Sequence, residues 1–309
     1  MRRIRLLLMV AICTAATCRN GGHDQPSASD EAAANASVLE WRAQHESAYR
    51  RDWVSIAGLH ELDDGVNTAG SATSNDIVLP ASTPPMVGRF VVTGDEVRFE
   101  PRAGVTVLAG KKREPVTAPL DMRDDSQRDA PELLLGDVRL TVHRSGEKRS
   151  LRVRDPNGPL AKGFVGFNWF QIESRYRVAG RFIGDSEPKR LKVLNTYGDV
   201  DEYNTEGVIE FELDGQKLRL RPFTTRPGRF YIVFRDGSSG QETYETARFL
   251  YADLRDDGTT ILDFNEAYNP PCAFNPFTTC PIPLRENRLP VKILAGEKAY
   301  AGSAPNRRP

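Results

Sequence analysis

Short stretches of alternating apolar and polar residues predict that most of the chain beyond residue 53 forms β-strands separated by turns. Three of these stretches lie close together along the chain: Val87 to Val92, Glu96 to Glu100 and Val105 to Leu108. Consecutive strands with such short connections favour antiparallel pairing. The pattern therefore predicts a mostly β protein with few helices, built as an antiparallel β-sandwich or a barrel-like sheet.

The clearest predicted element is a hairpin around Asp214-Gly215. An Asp-Gly pair favours a two-residue turn, and this turn places Phe211 opposite Leu218 and Glu212 opposite Lys217. Apolar residues then share one face of the hairpin, and oppositely charged residues share the other. This division is expected where one side of an antiparallel sheet covers the core.

The first eighteen residues resemble a bacterial export signal. Three arginines precede an apolar stretch from Leu6 to Ala16, which is shorter than the roughly twenty residues of a membrane-spanning helix. Residues Ala15-Ala16-Thr17-Cys18 resemble a lipobox, which implies that Cys18 is lipidated and becomes the mature N-terminus. The sequence thus predicts an exported lipoprotein facing the periplasm, with secretion as a soluble protein as the alternative.

The next residues predict the order of regions in the mature chain. Residues 19 to 35 contain few large apolar groups and predict a flexible tether. Ser37 and Glu40 have the spacing of a capping box, which predicts that a helix starts there. The sequence further predicts a folded unit over residues 36–300, with two subdomains at 53–125 and 150–300. A disordered tail is predicted at 301–309.

The charge balance limits the classes of partner. The 42 basic residues equal the 42 acidic residues in number, so the whole molecule has no field that attracts nucleic acid or an acidic membrane surface. We therefore expect a small molecule or an envelope protein as partner, no nucleic acid, and contact with the membrane through a lipid anchor alone.

Polar side chains with the chemistry of a binding site gather toward the C-terminal end of the sequence. The candidates are Asp236, Glu242, Tyr244, Arg248, Asp263, Asn265 and Asn269. Apolar runs at 230–234 and 260–264 predict two strands, and Asp236 and Asp263 meet if these strands are neighbours. Paired carboxylates suit a hard cation such as Ca²⁺, or acid and base roles in hydrolysis. The alternative is a structural brace, in which Arg248 pairs with a carboxylate.

Cys272 and Cys280 lie in a proline-rich loop. In an exported protein, two nearby cysteines favour a disulfide. A zinc half-site and a reactive thiol are the alternatives. Zinc requires more cysteine or histidine ligands than this part of the sequence supplies, and a catalytic thiol needs a base, for which His143 is the candidate.

Two further clusters have both a functional and a structural interpretation. His143-Arg144, Lys148-Arg149 and Arg152 lie on a predicted hairpin whose turn is Ser145-Gly146-Glu147, and they suit either anion binding or a solvated strand face. The second cluster is aromatic and suits either an apolar pocket or core packing. Its members are Phe164, Phe167, Trp169, Phe170 and Tyr176.

Several motifs together resemble one protein family. They are Trp53 with Ala57-Gly58-Leu59, Arg152 to Asp155, Gly166-Phe167 with Trp169-Phe170, Asp236 with Ser239 to Tyr244, Arg248-Phe249-Leu250, and Leu262 to Cys272. Over most of the mature chain, the sequence resembles the bacterial and archaeal domain-of-unknown-function family 1684 (DUF1684). This resemblance implies a family relationship and brings no activity with it.

A second resemblance concerns the segment near residues 65–110. Gly65 to Ser71, followed by Asn75 to Pro80 and Gly88, resembles the opening of a forkhead-associated domain, which implies a β-sandwich there. Ser71 stands where that family carries a phosphate-binding arginine. The resemblance therefore implies strand topology and does not imply phosphopeptide recognition.

The sequence leaves the function open among three hypotheses. The first is a small-ligand or hydrolytic site at the C-terminal motif, and the second is a non-catalytic interaction or structural module of the cell envelope. The third is a domain that binds a cation for stability. Whether the chain is an enzyme stays undecided, and a divalent cation is the one cofactor left open. No P-loop, Gly-x-Ser-x-Gly or His-Glu-x-x-His motif occurs.

Overall fold

The computed structural model describes residues 28–302. The predicted signal, Cys18, residues 19–27 of the predicted tether and residues 303–309 lie outside the described residues. The chain is mostly β, as predicted. Every strand pair in the described part is antiparallel except the pair formed by Gly65–Gly70 and Ile77–Val78. No helix in that part is long and apolar enough to cross a membrane.

One long helix, α1 (Ala28–Tyr49), precedes the sheets and continues into a π-helical turn, Arg50–Val54. The prediction that a helix starts at Ser37 is wrong, because the helix already includes Ala28 to Asn35, where a tether was expected. Alanine is the strongest helix former, and this segment contains several. A second helix is short: α2 (Pro159–Lys162).

The N-terminal strands form two sheets around one apolar core. Their bounds are β1 (Ile56–Glu61), β2 (Gly65–Gly70), β3 (Ile77–Val78), β4 (Gly88–Thr93), β5 (Glu96–Pro101), β6 (Leu108–Ala109), β7 (Glu114–Pro115), β8 (Leu120–Asp121), β9 (Leu133–Leu135), β10 (Val138–Ser145) and β11 (Lys148–Arg154). The sheet orders are β1-β11-β10-β9-β6-β7 and β3-β2-β4-β5-β8. The shared core runs from Leu62 to Val153, so this unit extends past residue 125, where the first subdomain was predicted to end.

The C-terminal strands also form two sheets over a second core. Their bounds are β12 (Arg177–Leu194), β13 (Val200–Leu213), β14 (Gln216–Leu220), β15 (Phe223–Arg226), β16 (Arg229–Phe234), β17 (Arg248–Asp253) and β18 (Thr259–Asp263). The sheet orders are β14-β13-β12-β18 and β15-β16-β17. The second core runs from Tyr176 to Ala295.

Two predicted hairpins are confirmed. Phe211 pairs with Leu218 and Glu212 with Lys217. Asp214 has a φ of 51°, which allows the tight turn. The hairpin β10–β11 turns at residues 146–147, after His143.

Residues 230–234 form a strand, as predicted, but it does not neighbour the strand at 260–264, so the condition under which Asp236 and Asp263 would meet is not fulfilled. Strand β16 pairs with β15 and β17, whereas β18 pairs with β12 in another sheet. The predicted strand at 105–108 is also shorter, since only Leu108 and Ala109 form β6. After β18 the chain continues as an irregular segment with short 3-10 turns: Phe264–Glu266, Pro271–Ala273 and Arg285–Asn287.

A third apolar cluster joins α1 to the irregular C-terminal segment. It combines Tyr49 and Val54 with Phe249, Tyr268 and Phe274. The predicted aromatic residues Phe164, Phe167 and Trp169 pack against it, whereas Tyr176 belongs to the second core. Most of these rings therefore pack together as the core-packing interpretation expected.

Candidate functional site

Asp236 and Arg248 form a buried ion pair. Arg248 Nη1 donates to Asp236 Oδ2 at 2.8 Å, and both side chains have 0% exposure. The same guanidinium donates to the carbonyl oxygens of Ile293 and Ala295. The other carboxylate oxygen of Asp236 accepts from Ser238 N at 2.7 Å. All of these contacts are internal, which is the geometry of a brace.

Asp263 and Asn265 also act locally. Asp263 Oδ1 accepts from Asn265 N at 3.1 Å and from Asn265 Nδ2 at 2.9 Å. Asn265 in turn exchanges two hydrogen bonds with the backbone of Glu173, at 3.0 and 3.1 Å. Burial raises the pKa of Asp263, and the hydrogen bonds from Asn265 oppose that rise. Asp236 and Asp263 thus take different partners, and the predicted carboxylate pair does not form.

Asn269 is fully buried and crosses to the end of the described chain. Its backbone N–H donates to Glu297 Oε2 at 2.8 Å, and its Nδ2 donates to the Lys298 carbonyl at 2.7 Å. Asn269 Oδ1 is buried without a partner. Burial raises the pKa of Glu297 to about 8, so this carboxyl is protonated at neutral pH.

The remaining members of the predicted cluster, Glu242 and Tyr244, have other side-chain partners. Glu242 forms an ion pair with Lys292 at 2.8 Å, at a partly exposed position. Tyr244 donates from its hydroxyl to the Cys272 carbonyl at 3.3 Å. Among the described residues, no three His, Cys, Asp or Glu side chains are grouped so as to hold a metal ion.

The structure buries both Cys272 and Cys280. The Cys272 backbone N–H donates to Cys280 Sγ at 3.3 Å. Burial raises the pKa of the Cys280 thiol well above its ordinary value, and the Cys272 side chain adds to the rise. A thiolate nucleophile is therefore disfavoured at this position. The predicted disulfide stays a prediction.

A wide cleft lies elsewhere, between the β10–β11 hairpin and the strands β12 and β13. Its volume is about 1030 Å³. Charged side chains of both signs line it, together with aromatic and hydroxyl groups: Trp53, Asp125, Ser126, His143, Arg144, Glu147, Lys148, Arg152, Arg190, Lys192, Asp199, Asp201, Glu202, Tyr203 and Thr279. The predicted basic hairpin thus forms one wall, and the irregular C-terminal segment contributes Thr279.

Three of these residues form a hydrogen-bonded chain. Asp125 Oδ2 lies 2.8 Å from His143 Nδ1, and His143 Nε2 lies 3.0 Å from Thr279 Oγ1. Arg152 Nη1 donates to Asp125 Oδ2 at 2.6 Å. Arg152 also lies over the Trp53 ring, 5.6 Å from its centroid. A carboxylate, an imidazole and a hydroxyl in this order form the arrangement that activates a hydroxyl nucleophile.

The electrostatics fix the direction of these hydrogen bonds. Burial raises the pKa of Asp125, but the hydrogen bond from His143 and the Arg152 charge outweigh burial and hold it below its ordinary value. For His143, burial outweighs the Asp125 contact and lowers the pKa. At neutral pH, Asp125 is therefore an acceptor and His143 is neutral. The proton lies on Nδ1, and Nε2 accepts from the Thr279 hydroxyl.

Backbone contacts hold all three residues in place. Asp125 N donates to the Val142 carbonyl at 2.9 Å, so the loop after β8 lies along β10. Beside Thr279, the Cys280 carbonyl accepts from Thr196 N at 2.9 Å, and Cys280 N donates to Thr196 Oγ1 at 3.2 Å. The hydrogen-bonded series Asp125-His143-Thr279 is thus supported by strand β10 on one side and by the β12–β13 turn on the other.

The sequence supplied only one of the three residues. His143 was considered as a base for a cysteine, whereas the structure places its Nε2 against a threonine hydroxyl. Asp125 and Thr279 were missed because they are 18 and 136 residues away from His143 in the sequence. The available signals were the Asp124-Asp125 pair and the two threonines before Cys280.

His45 lies among aromatic rings. Its centroid is 4.7 Å from that of Trp41, and 4.4 Å from those of Tyr49 and Tyr268. Its Nε2 is buried without a hydrogen-bond partner. Burial lowers the pKa of His45 to about 4. This histidine is therefore neutral at physiological pH and part of the packing of α1.

Comparisons with known proteins give a family and two distant structures. Residues 162–298 match the family described as a protein of unknown function, DUF1684, which confirms the predicted resemblance for that part of the chain. No curated protein matches. An uncharacterized protein from Haloarcula marismortui, solved by NMR, is 30% identical; the match covers 47% of this chain and 82% of that chain, with a TM-score of 0.39. Mycobacterium tuberculosis EmbR, in complex with a low-affinity phosphopeptide, is 17% identical; the match covers 42% of this chain and 32% of that chain, with a TM-score of 0.22.

Proposed function

Because the chain belongs to the DUF1684 family through residues 162–298 and that family is described as one of unknown function, we propose a function from the cleft. The cleft binds a small anionic ligand. Its volume of about 1030 Å³ suits a small molecule. Trp53 and Tyr203 offer aromatic surface beside the charged groups.

The observation that carries this proposal is the availability of positive charge in the cleft. The lining is balanced in total charge, but most of its acids already have partners: Glu202 pairs with Arg190 at 2.9 Å, and Asp125 pairs with Arg152. Arg144 and Lys192 line the cleft and form no ion pair with a described residue. Two lining acids, Glu147 and Asp201, likewise form no ion pair, but both Asp201 oxygens accept hydrogen bonds, from Gly146 N and Asn195 Nδ2, at 2.9 Å each. Two cations without a counter-ion and only one lining carboxylate, that of Glu147, without a described donor favour a negatively charged ligand.

A matched pair of probes tests the proposal. We expect 4-hydroxybenzoate to bind in isothermal titration more tightly than its uncharged methyl ester. Replacing Arg144 and Lys192 by Gln removes that preference, whereas the same change at the exposed Lys111 and Lys112 keeps it. Equal binding of both probes, or a preference that survives the double cleft variant, contradicts an anion site.

We further propose that this site works outside the cytoplasm, in a lipoprotein. The support is the basic and apolar N-terminal segment that ends at Cys18. Metabolic labelling with palmitate in the native host, followed by fractionation, should place label in the membrane fraction of the wild type and none in Cys18→Ser. Unlabelled wild-type protein in the culture medium would indicate simple secretion instead.

One observation favours the second candidate, an interaction module of the envelope. Leu194, Tyr197 and Val200 are 48%, 44% and 46% exposed around the β12–β13 turn. Apolar side chains grouped on a surface favour contact with another protein. Cross-linking in the native host, comparing the wild type with Leu194→Ser, tests this candidate. A stoichiometric partner that is lost in the variant would support it, and an unchanged monomer would exclude this surface as an interface.

A further inference from the structure

We propose that Asp125, His143 and Thr279 form the catalytic chain of an esterase, in which Thr279 is acylated by carboxylic esters that carry a negative charge. The inference rests on the proposed function, because the same cleft must bind the ester. It goes beyond ligand binding in assigning a reaction, a nucleophile and a substrate class.

The first support is the alignment of three hydrogen-bonding groups along one wall of the cleft. The distances of 2.8 Å and 3.0 Å connect carboxylate, imidazole and hydroxyl without a gap. Thr279 is partly exposed, while the His143 side chain is only 11% exposed. The hydroxyl therefore faces the cleft, and the imidazole behind it is shielded from water. A nucleophile needs this access, and a base needs this shielding to stay neutral.

The second support is the set of hydrogen bonds that holds the Asp125 carboxylate. Asp125 accepts from Arg152, from the His143 ring and from the Arg144 backbone N–H at 3.3 Å. Such a carboxylate holds the imidazole in one orientation and stabilises the imidazolium that forms during the reaction. Arg152 is nearly fully buried and is not available to a ligand. Its charge instead keeps Asp125 ionised.

The chemical steps balance within the chain, the ester and water. Thr279 Oγ1 attacks the ester carbonyl carbon while its proton moves to His143 Nε2. The C–O bond to the leaving alcohol breaks, and Nε2 returns the proton to that alcohol. Water then attacks the acylated Thr279, gives its proton to Nε2 and releases the acid, after which Nε2 reprotonates Thr279. No cofactor or oxidant enters the sequence of steps.

The substrate class follows from the unpaired cations. Arg144 follows His143 in strand β10, and Lys192 lies on strand β12 across the cleft. A carboxylate on the alcohol or acyl part of the ester can bind these cations, while Trp53 and Tyr203 contact its apolar part. Binding energy from this remote charge orients the carbonyl at Thr279.

The pH dependence follows from the groups that face His143. They are Asp125, Arg152 of β11, Asp201 of β13 and Arg144 of its own strand. Burial and the Arg152 charge lower the pKa of His143, and Asp125 and Asp201 oppose this. Activity should rise as His143 loses its proton, with a midpoint below the ordinary value of 6.5. It should stay level through neutral pH.

The experiment uses the full chain with two esters, 4-acetoxybenzoate and its uncharged methyl ester. We expect hydrolysis of the anionic ester by the wild type, with a loss of about 10²-fold or more in Thr279→Val and His143→Gln. Thr279→Ser should retain activity. The control Thr117→Val removes an exposed hydroxyl outside the cleft and should change nothing.

Acid quench followed by peptide mass spectrometry identifies the nucleophile. An acetyl group on Thr279 in the wild type, absent in Thr279→Val, supports the covalent route. The inference is overturned by wild-type hydrolysis no faster than that of Thr279→Val. It is also overturned if activity is lost without acetylation, because the hydroxyl would then only position a water molecule.

The two proposals fail separately in these experiments. Preferential binding of 4-hydroxybenzoate without ester hydrolysis supports the anion site and contradicts the esterase activity. Thr279-dependent hydrolysis of both esters at equal rates leaves the catalytic chain standing and removes the anion site and the anionic substrate class. Circular dichroism of each variant separates loss of activity from loss of folding.

Discussion

The buried pair of Asp236 and Arg248 gives the sharpest stability prediction. Replacing Arg248 by Met keeps most of the side-chain volume but leaves the Asp236 carboxylate buried without its counter-charge. It also removes the donor that the carbonyl oxygens of Ile293 and Ala295 accept from. Breaking a buried ion pair from one side costs about 3–5 kcal/mol, and the two carbonyls favour the upper part of that range.

Chemical denaturation followed by circular dichroism measures this cost. For a chain of this size, about 3–5 kcal/mol also corresponds to a fall in Tm of roughly 5–8 °C in a thermal scan. The matched control is Arg229→Met. Arg229 of β16 pairs with Asp253 at the end of β17 opposite Arg248, where the side chains are 30% and 64% exposed. Pairs of this kind contribute about 1 kcal/mol or less.

A double-mutant cycle decides whether the pair itself carries the effect. Asp236→Asn with Arg248→Met should be less destabilised than the sum of the single variants, by at least about 1 kcal/mol, because no unpaired charge remains. Additive losses would refute the brace. A loss in Arg248→Met no larger than in Arg229→Met would also refute it and return Arg248 to the candidates for ligand binding.

Three further predictions concern titration and thiols. Burial lowers the pKa of His45 to about 4. As pH falls, the unfolded chain therefore takes up the His45 proton before the folded chain does, and the free energy of unfolding should fall by up to about 3 kcal/mol between pH 6.5 and 4. In urea titrations, His45→Phe should remove this loss. Burial raises the pKa of Glu297 to about 8, so the folded chain keeps a proton that the unfolded chain loses. The free energy of unfolding should therefore fall by on the order of 4 kcal/mol as pH rises from 4.5 to 8. At pH 8, Glu297→Gln should be more stable than the wild type. Cys280 is buried and its pKa is raised, so it should resist alkylation until the protein unfolds. Peptide mass spectrometry of exported protein should show that denaturation alone makes Cys280 available for alkylation. Alkylation that also requires a reductant would instead establish the disulfide predicted with Cys272.

Local sequence signals predicted the elements whose geometry is set by neighbouring residues. The hairpin at Asp214-Gly215 has the predicted register, because the turn fixes the register and the alternation of Phe211 and Glu212 agrees with it. The strand at 230–234 was likewise identified by its apolar run. The capping-box signal at Ser37 failed because the alanine-rich residues before it extend the helix.

The candidate site was less predictable because its residues meet through tertiary contacts. Neither Asp125 nor Thr279 lies in a regular strand or helix, and no periodicity connects them to His143. The predicted cluster contained residues with suitable chemistry, but Asp236 and Arg248 are fully buried. Polar residues of the same types serve braces and active sites, and burial, which the sequence does not reveal, distinguishes the two.

The buried polar residues of the C-terminal motif and the residues of the candidate site are connected through the irregular C-terminal segment. This connection explains why that segment is rich in amides and carboxylates. Asn275 Nδ2 donates to the carbonyl oxygens of Trp53 and Ile56, at 3.1 and 2.8 Å, and so attaches the segment to the N-terminal unit. Ile282 N donates to the Leu194 carbonyl at 2.9 Å and attaches it to β12. Thr279 lies between these two attachments. An irregular backbone has no ladder partners of its own, so buried side-chain amides must satisfy its polar groups. The polar residues of the C-terminal motif thus support the loop that places one hydroxyl against His143.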